Sequence, residues 1–173
     1  MMRFAAGAAA LLLAACAAIP PQAPLPSLTA VPASFEMSGR LAVRHGTSSD
    51  IAQLRWTRRG KSDVWVIASP LGNEVARIES TPGSATMSGG GESEARASSF
   101  EDLTQRVLGV ALDPDALAQA LHGEAPRDVP EGWHFTIEET QATGAVRLAK
   151  RITARNGDTV VRLVVDSYRP LAD

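Results

Sequence analysis

From Met37 onward, apolar and polar side chains alternate along the chain. In MSGRLAVR, Met37, Gly39, Leu41 and Val43 share one face, and Ser38, Arg40, Ala42 and Arg44 share the other. In IAQLRWTR, Ala52, Leu54 and Trp56 oppose Gln53, Arg55 and Thr57. DVWVIAS, residues 63–69, is apolar on both faces, and NEVARIES resumes the alternation with Ala76 and Ile78 opposed to Val75, Arg77 and Glu79. A period of two is that of a strand with one buried face. RRGKS, SPLG and TPGS between these runs are turn sequences, so antiparallel strands joined by short turns are predicted.

The period changes near residue 98. SSFEDLTQRVLG places Phe100, Leu103 and Val107 on one helical face, with Ser99 as N-cap, Asp102 three residues later and Gly109 as the stop. DPDALAQALHG repeats the grammar: Asp113 caps, Pro114 takes the first helical position, Leu117, Ala120 and Leu121 form the stripe, and Gly123 ends it. Helices this short need packing to be stable, so their apolar faces are expected on the sheet. Alternation returns in WHFTIEE, where Trp133, Phe135 and Ile137 share a face, and in AVRLAKRIT, with Val146, Leu148 and Ile152. Asn156-Gly157 is a type I′ hairpin signal joining that strand to TVVRLVVDSY. About eight to eleven strands with two helices inserted mid-chain make an α+β fold on an antiparallel sheet.

The N-terminal 34 residues follow a different pattern. Arg3 and the short apolar stretch AAGAAALLL read as a secretory signal over residues 1–15, too short to span a bilayer. Leu13-Ala14-Ala15-Cys16 resembles the lipobox of bacterial lipoproteins, in which the thiol is diacylated, the chain is cut before it and the new amine is acylated. One acyl chain holds a protein only marginally, whereas several hold it stably, so Cys16 is expected to be a tether. Ala17 stands where an aspartate would resemble an inner-membrane retention signal, which favours the outer membrane. Residues 17–34 carry five of the eleven prolines and no charge, the composition of an extended, semi-rigid spacer. A single folded domain is then expected over 35–173.

Composition narrows the chemistry. The net charge of -2 gives no reason to expect nucleic acid, which rests on a basic surface. One cysteine excludes an internal disulfide, and the three histidines, His45, His122 and His134, form no HxxxH or HExxH spacing, so a metal site is not expected. Each histidine reads as a solvated surface residue, and no GxSxG elbow is present. The glycines at 89–91 and the Gly60-Lys61-Ser62 run fail the spacing of a phosphate loop and read as turns. No enzyme and no cofactor are expected.

Leu71, at the tip of the Pro70-Leu71-Gly72 turn, is unusual. Turn tips favour Asn, Asp or Gly, so a leucine there either tucks over the sheet edge or stands exposed toward something apolar.

Taken in order, LAAC, FEMSGRLAVR, QLRW, VIASPLGNEVARI, FEDLTQRVLGVALDPDALAQALHG, Gly132-Trp133 and VRLVVDSY resemble the LolB family of outer-membrane lipoprotein receptors over essentially all of residues 35–173. The resemblance implies an unclosed antiparallel β-barrel with helices covering its opening around a hydrophobic cavity. It implies that the cavity takes the acyl chains of lipoproteins delivered by a periplasmic carrier, LolA, and that the cargo is placed in outer-membrane phospholipid. It further implies that the leucine of the PLG turn, Leu71, protrudes and promotes insertion.

Trp56, Trp65, Leu103, Val107, Leu117, Leu121, Trp133 and Phe135 are the candidate cavity lining, although core packing accounts for each equally well. The chain departs from the family where tryptophans are usual, near the end of the second helix and at Tyr168. A monomer anchored through Cys16 at the periplasmic face of the outer membrane is the expected arrangement. The alternative is a structural or assembly lipoprotein with a solid β core and a protein partner.

Overall fold

The computed structural model describes residues 31–89, 94–127, 129 and 131–172. Cys16 and the whole leader therefore lie outside the described residues. Among the described residues, nine strands form one antiparallel sheet: β1 Ser34–His45, β2 Ser48–Arg59, β3 Ser62–Ala68, β4 Glu74–Thr81, β5 Ser84–Gly89, β6 Ala95–Ala97, β7 His134–Thr143, β8 Val146–Asn156 and β9 Thr159–Pro170. Their order, β6-β5-β4-β3-β2-β1-β9-β8-β7, leaves β6 and β7 unpaired at the two edges, so the sheet does not close. Helices α1, Phe100–Leu108, and α2, Pro114–Leu121, connect those edges. α1 packs on β5 and β6, and α2 on β7 and β8. This is the unclosed α+β barrel with covering helices that the alternation and the resemblance predict.

The alternating pattern explains the inward face. Cross-strand register aligns Tyr168, Met37, Trp56, Trp65, Ile78, Met87 and Ala95 in one row across the sheet. A second row runs through Val43, Val161, Ala154 and Phe135. Side chains in register on one face are neighbours, so each row becomes a continuous apolar band. Gly39 lies where β1 shifts register against β9, and a Cβ there would stand 2.1 Å from the Val164 carbonyl oxygen. Only glycine allows the two backbones to approach this closely.

Both helix starts follow their sequence signals. The Ser99 side chain accepts from the Asp102 amide at 3.0 Å, and Asp113 accepts from the amides of Asp115 and Ala116. Gly109 adopts φ 70 and ends α1. α2 departs from a simple stripe, because Pro114, Ala116 and Ala118 are buried along with Leu117, Ala120 and Leu121. Small alanines let this helix sink into the open side of the sheet.

That depth overturns the surface reading of His122, which is fully buried. His45 and His134 are exposed as expected, with His45 hydrogen-bonded to Thr159. One finer expectation is also corrected. Asn156 pairs with Thr159 inside the ladder, so the two-residue turn is Gly157-Asp158, with Gly157 at φ 54. Leu148 and Ile152 are both buried as their parity predicts, and register shifts on either side of Glu139 bring Ala149 into the core cluster beside Ile152 as well.

Candidate functional site

The concave face of the sheet and the two helices enclose one apolar interior. Rings fill its middle: Phe35 meets Trp56 at 4.9 Å between centroids, Trp56 meets Trp65 at 5.3 Å, and Trp65 meets Phe100 at 4.8 Å. Of the predicted lining residues, Trp56, Trp65, Leu103, Leu117 and Leu121 are buried in this core, and Val107 packs partly buried against it. Trp133 and Phe135 lie half-buried at the β7 edge, their rings 6.5 Å apart.

A cleft opens there. Leu117 of α2, Trp133, Phe135 of β7 and Ala154 of β8 line it together with Ala111, Leu112 and Asp113. Its volume is about 10 Å³, whereas sites for small molecules occupy roughly 300–1,000 Å³. The interior is thus filled by its own side chains. Three of the eight predicted residues meet at the cleft and the other five lie deeper or on α1. Phe35, Met37, Phe100 and Leu112, absent from the prediction, belong to the same apolar body. Phe35 and Met37 carry the inward parity of β1, so the alternation itself marked them.

Two polar clusters hold α2 over this interior. At its start, the buried Arg58 donates through Nη1 to the Pro114 carbonyl at 3.0 Å and through Nη2 to Asp115, and its Nε reaches the Gly60 carbonyl at 3.2 Å. Asp63, also buried, accepts from Trp56 Nε1 at 2.6 Å and lies 3.8 Å from the Arg58 guanidinium. Burial raises the Asp63 carboxyl above its ordinary value, against the opposing pull of Arg58 and Trp56. Asp115 is desolvated too, but Lys61 and Arg58 more than offset this and hold it below the ordinary value. Arg58 sits at the inward parity of β2 after Leu54 and Trp56, an inconsistency in the pattern that marks a buried charge needing partners.

At the other end, His122 Nδ1 lies 2.6 Å from the Ala118 carbonyl and Nε2 lies 2.8 Å from the Tyr168 hydroxyl. A carbonyl can only accept, so Nδ1 carries the proton, and the neutral ring accepts from Tyr168 at Nε2. Burial lowers the His122 pKa and pushes Tyr168 up to about 12. Both groups are therefore neutral at pH 7. Thr104 ties α1 to the link between the helices, donating to Glu101 and accepting from the Leu112 amide at 2.9 Å. The Trp65 indole N–H is buried without a hydrogen-bond partner in the described structure.

Leu71 stands apart from the interior. Gly72 N–H donates to the Ser69 carbonyl at 2.8 Å, closing a turn with Pro70 and Leu71 at its centre, and Gly72 takes φ 89. This geometry leaves Leu71 89% exposed, so it protrudes rather than tucking over the edge. Among the described residues, no group of three or more His, Cys, Asp or Glu side chains is placed to hold a metal, and no helix is long and apolar enough to cross a membrane.

Sequence comparison with known proteins finds a matching family and several relatives. The family described as outer membrane lipoprotein LolB matches residues 33–130. The outer-membrane lipoprotein LolB of Thiobacillus denitrificans is 33% identical, with 91% of this chain and 91% of the relative aligned. That of Chromobacterium violaceum is 30% identical over 92% of this chain and 94% of the relative. Among solved structures, a LolA superfamily protein from Nitrosomonas europaea aligns with 81% of this chain and 86% of its own, at a TM-score of 0.44 and 10% identity.

Proposed function

We propose that this chain, a member of the outer membrane lipoprotein LolB family, accepts acylated lipoproteins from the periplasmic carrier LolA and delivers them into outer-membrane phospholipid. Residues 1–15 are its signal peptide, Cys16 its acylated anchor and residues 17–34 a spacer, with the binding domain over 35–173. The protein works as a monomer and catalyses no covalent chemistry.

The observation that carries this reading is the apolar cleft between α2 and β7, which leads into an interior lined almost wholly by hydrocarbon. An acyl chain entering there exchanges water for apolar surface, at about 0.8 kcal/mol per methylene buried. Trp133 and Phe135 form the mouth, and Leu117, Leu121, Leu103, Val107, Trp56 and Trp65 become lining as α1 and α2 move outward. Capture then needs no nucleotide. Handover follows affinity differences, each factor of ten corresponding to about 1.4 kcal/mol. Leu71, protruding from the sheet end, meets the bilayer and perturbs lipid packing so that cargo leaves.

The closed, ring-filled interior also favours a second reading, a structural lipoprotein with a solid core and a protein partner. A handover assay separates the two. The chain from residue 17 onward is mixed with LolA carrying an acylated lipoprotein, and the protein with which the cargo co-purifies is followed. Cargo moves to this chain if it is the acceptor, and stays on a competent carrier if the core is solid. Leu71→Glu should leave capture intact while cutting delivery to vesicles; equal loss of both would refute the division of roles.

A further inference from the structure

The large apolar side chains exposed among the described residues are Ile51, Leu71 and Val75, and all three lie at one end of the sheet. Ile51 follows the outward parity of β2, opposite to Leu54 and Trp56, and pairs with Ala42. Continuing the β2–β3 register beyond Gln53 and Ala68 brings Ile51 level with Pro70, beside the turn that carries Leu71, and Gln53 donates to the Pro70 carbonyl at 3.1 Å. Val75 is the extra residue where β4 shifts register against β3, between Glu74 opposite Ala68 and Ala76 opposite Ile67. Strand spacing puts Ile51 and Val75 roughly 12 Å apart with Leu71 beyond them. The acid beside Val75 is neutralised, since both Glu74 oxygens accept from Arg77 at 3.0 Å.

The chain leaves the domain at the opposite end. The Ala33 carbonyl accepts from the Gly60 amide in the β2–β3 turn, and the Leu171 amide donates to Ser34, so both ends of the described fold emerge there. From Ser34 to Ala42, level with Ile51, β1 rises about 27 Å. Seventeen peptide units separate Cys16 from Ala33, a contour of roughly 53 Å at polyproline spacing. That length exceeds the height of the sheet. An anchor attached at the base can therefore run back along the domain to the bilayer that the far end touches.

We propose that Ile51, Leu71 and Val75 act as one membrane-docking wedge, and that the bilayer it enters is the same one that holds Cys16. The domain then stands inverted on its anchor, with the apolar end down and the chain's exit up. The proposal rests on the acylated-receptor reading and enlarges the contact from one leucine to a three-residue surface.

The test uses the full lipidated protein in phospholipid vesicles. Acylation blocks Cys16, so an introduced cysteine is the free thiol. Ile51→Cys, Val75→Cys and, as a control at the opposite end, Thr81→Cys are each labelled with an environment-sensitive fluorophore. Lipid-borne quencher is placed either in the anchoring vesicles or in a second, protein-free population.

Quenching of positions 51 and 75, but not 81, by lipid of the anchoring vesicle supports the wedge. Quenching only by the second population overturns same-bilayer docking, and no quenching at 51 and 75 overturns the wedge. Vesicle flotation reports the anchor separately: protein that fails to float refutes acylation at Cys16, whereas protein that floats unquenched refutes this proposal alone. In the chain lacking its lipid, Ile51→Glu should weaken vesicle binding by ~5-fold or more without altering thermal unfolding. Unchanged binding there would remove Ile51 from the surface.

Discussion

Replacing Arg58 with methionine should be among the more destabilising single changes outside the aromatic core, for a reason set by its neighbours. The guanidinium is 5% exposed and serves the Gly60 and Pro114 carbonyls, Asp115 and the 2% exposed Asp63. Methionine fills much of the volume but supplies no donor. Asp115 keeps Lys61, at 2.8 Å, and partial solvent. Asp63 is left with the Trp56 N–H as its hydrogen-bond donor among the described residues and stays buried. Removing one partner of a buried ion pair costs about 3–5 kcal/mol, because the remaining charge is desolvated without compensation. Against a total stability of about 5–15 kcal/mol for a domain, the variant folds but marginally.

The pH dependence identifies the cause. Asp63 is already raised by burial, with Arg58 opposing, so loss of Arg58 raises it further. A carboxyl with a raised folded pKa binds more protons folded than unfolded, so stability falls as pH rises from the unfolded value through the folded one. The Arg58→Met deficit should therefore be full at pH 7–8 and narrow as pH falls toward about 4. Urea unfolding of the chain from residue 17 onward, across that pH range, measures it. Arg58→Met combined with Asp63→Asn should recover part of the loss at pH 7. A deficit below about 1 kcal/mol, equal at pH 5 and pH 8, would refute the claim that this cluster is desolvated and acts through Asp63.

Two further outcomes follow from the same geometry. His122 is buried neutral with a lowered pKa, so the unfolded chain binds more protons and stability declines as pH falls below about 6.5; His122→Gln should flatten that slope in thermal melts at pH 5–7, and an unchanged slope would assign it elsewhere. Gly39→Ala drives a Cβ into the Val164 carbonyl and should cost about 3 kcal/mol, near the top of the range for overpacking, which circular dichroism would read as a fall in Tm of roughly 6–12 °C.

Strand positions and helix ends were legible because they depend on local rules. Leu54 and Trp56 face inward as their parity demands, and Ser99, Asp113 and Gly109 cap where their chemistry places them. Leu71 was legible as an anomaly but not as a protrusion, since a turn leucine can tuck or stand, and only the backbone of Ser69–Asn73 decides. His122 was misread because a histidine at a helix end is ordinarily solvated; here the alanines preceding it let α2 sink until the ring reached Phe35 and Tyr168. Arg58 carried a readable signal, an arginine on the inward face of β2, but its partners Pro114 and Asp115 lie 56 and 57 residues away. The distinction between a lined cavity and a filled core was not in the pattern at all. Both states use the same inward residues and differ only in how far the helices stand from the sheet.

On the proposed function, such an interior binds and releases cargo by displacement of α2. α2 is held by directional bonds at its two ends, Arg58 with Pro114 and Asp115 at the start, His122 with Tyr168 at the finish. Between them its buried face is largely alanine, with Leu117 and Leu121 as the larger side chains. Alanine interlocks little with the sheet, so displacement along this stretch forfeits fewer dispersion contacts than it would for a helix faced with large side chains. The apolar interior favours burial of hydrocarbon without specifying its shape, and an acyl chain can replace side-chain contacts that are lost as the helix moves. The polar ends have no such substitute in a hydrocarbon cargo. On that reading the polar ends fix the position of the helix seen here and the apolar middle sets the affinity for cargo, so substitution at Arg58 and at Leu117 should act separately on the two.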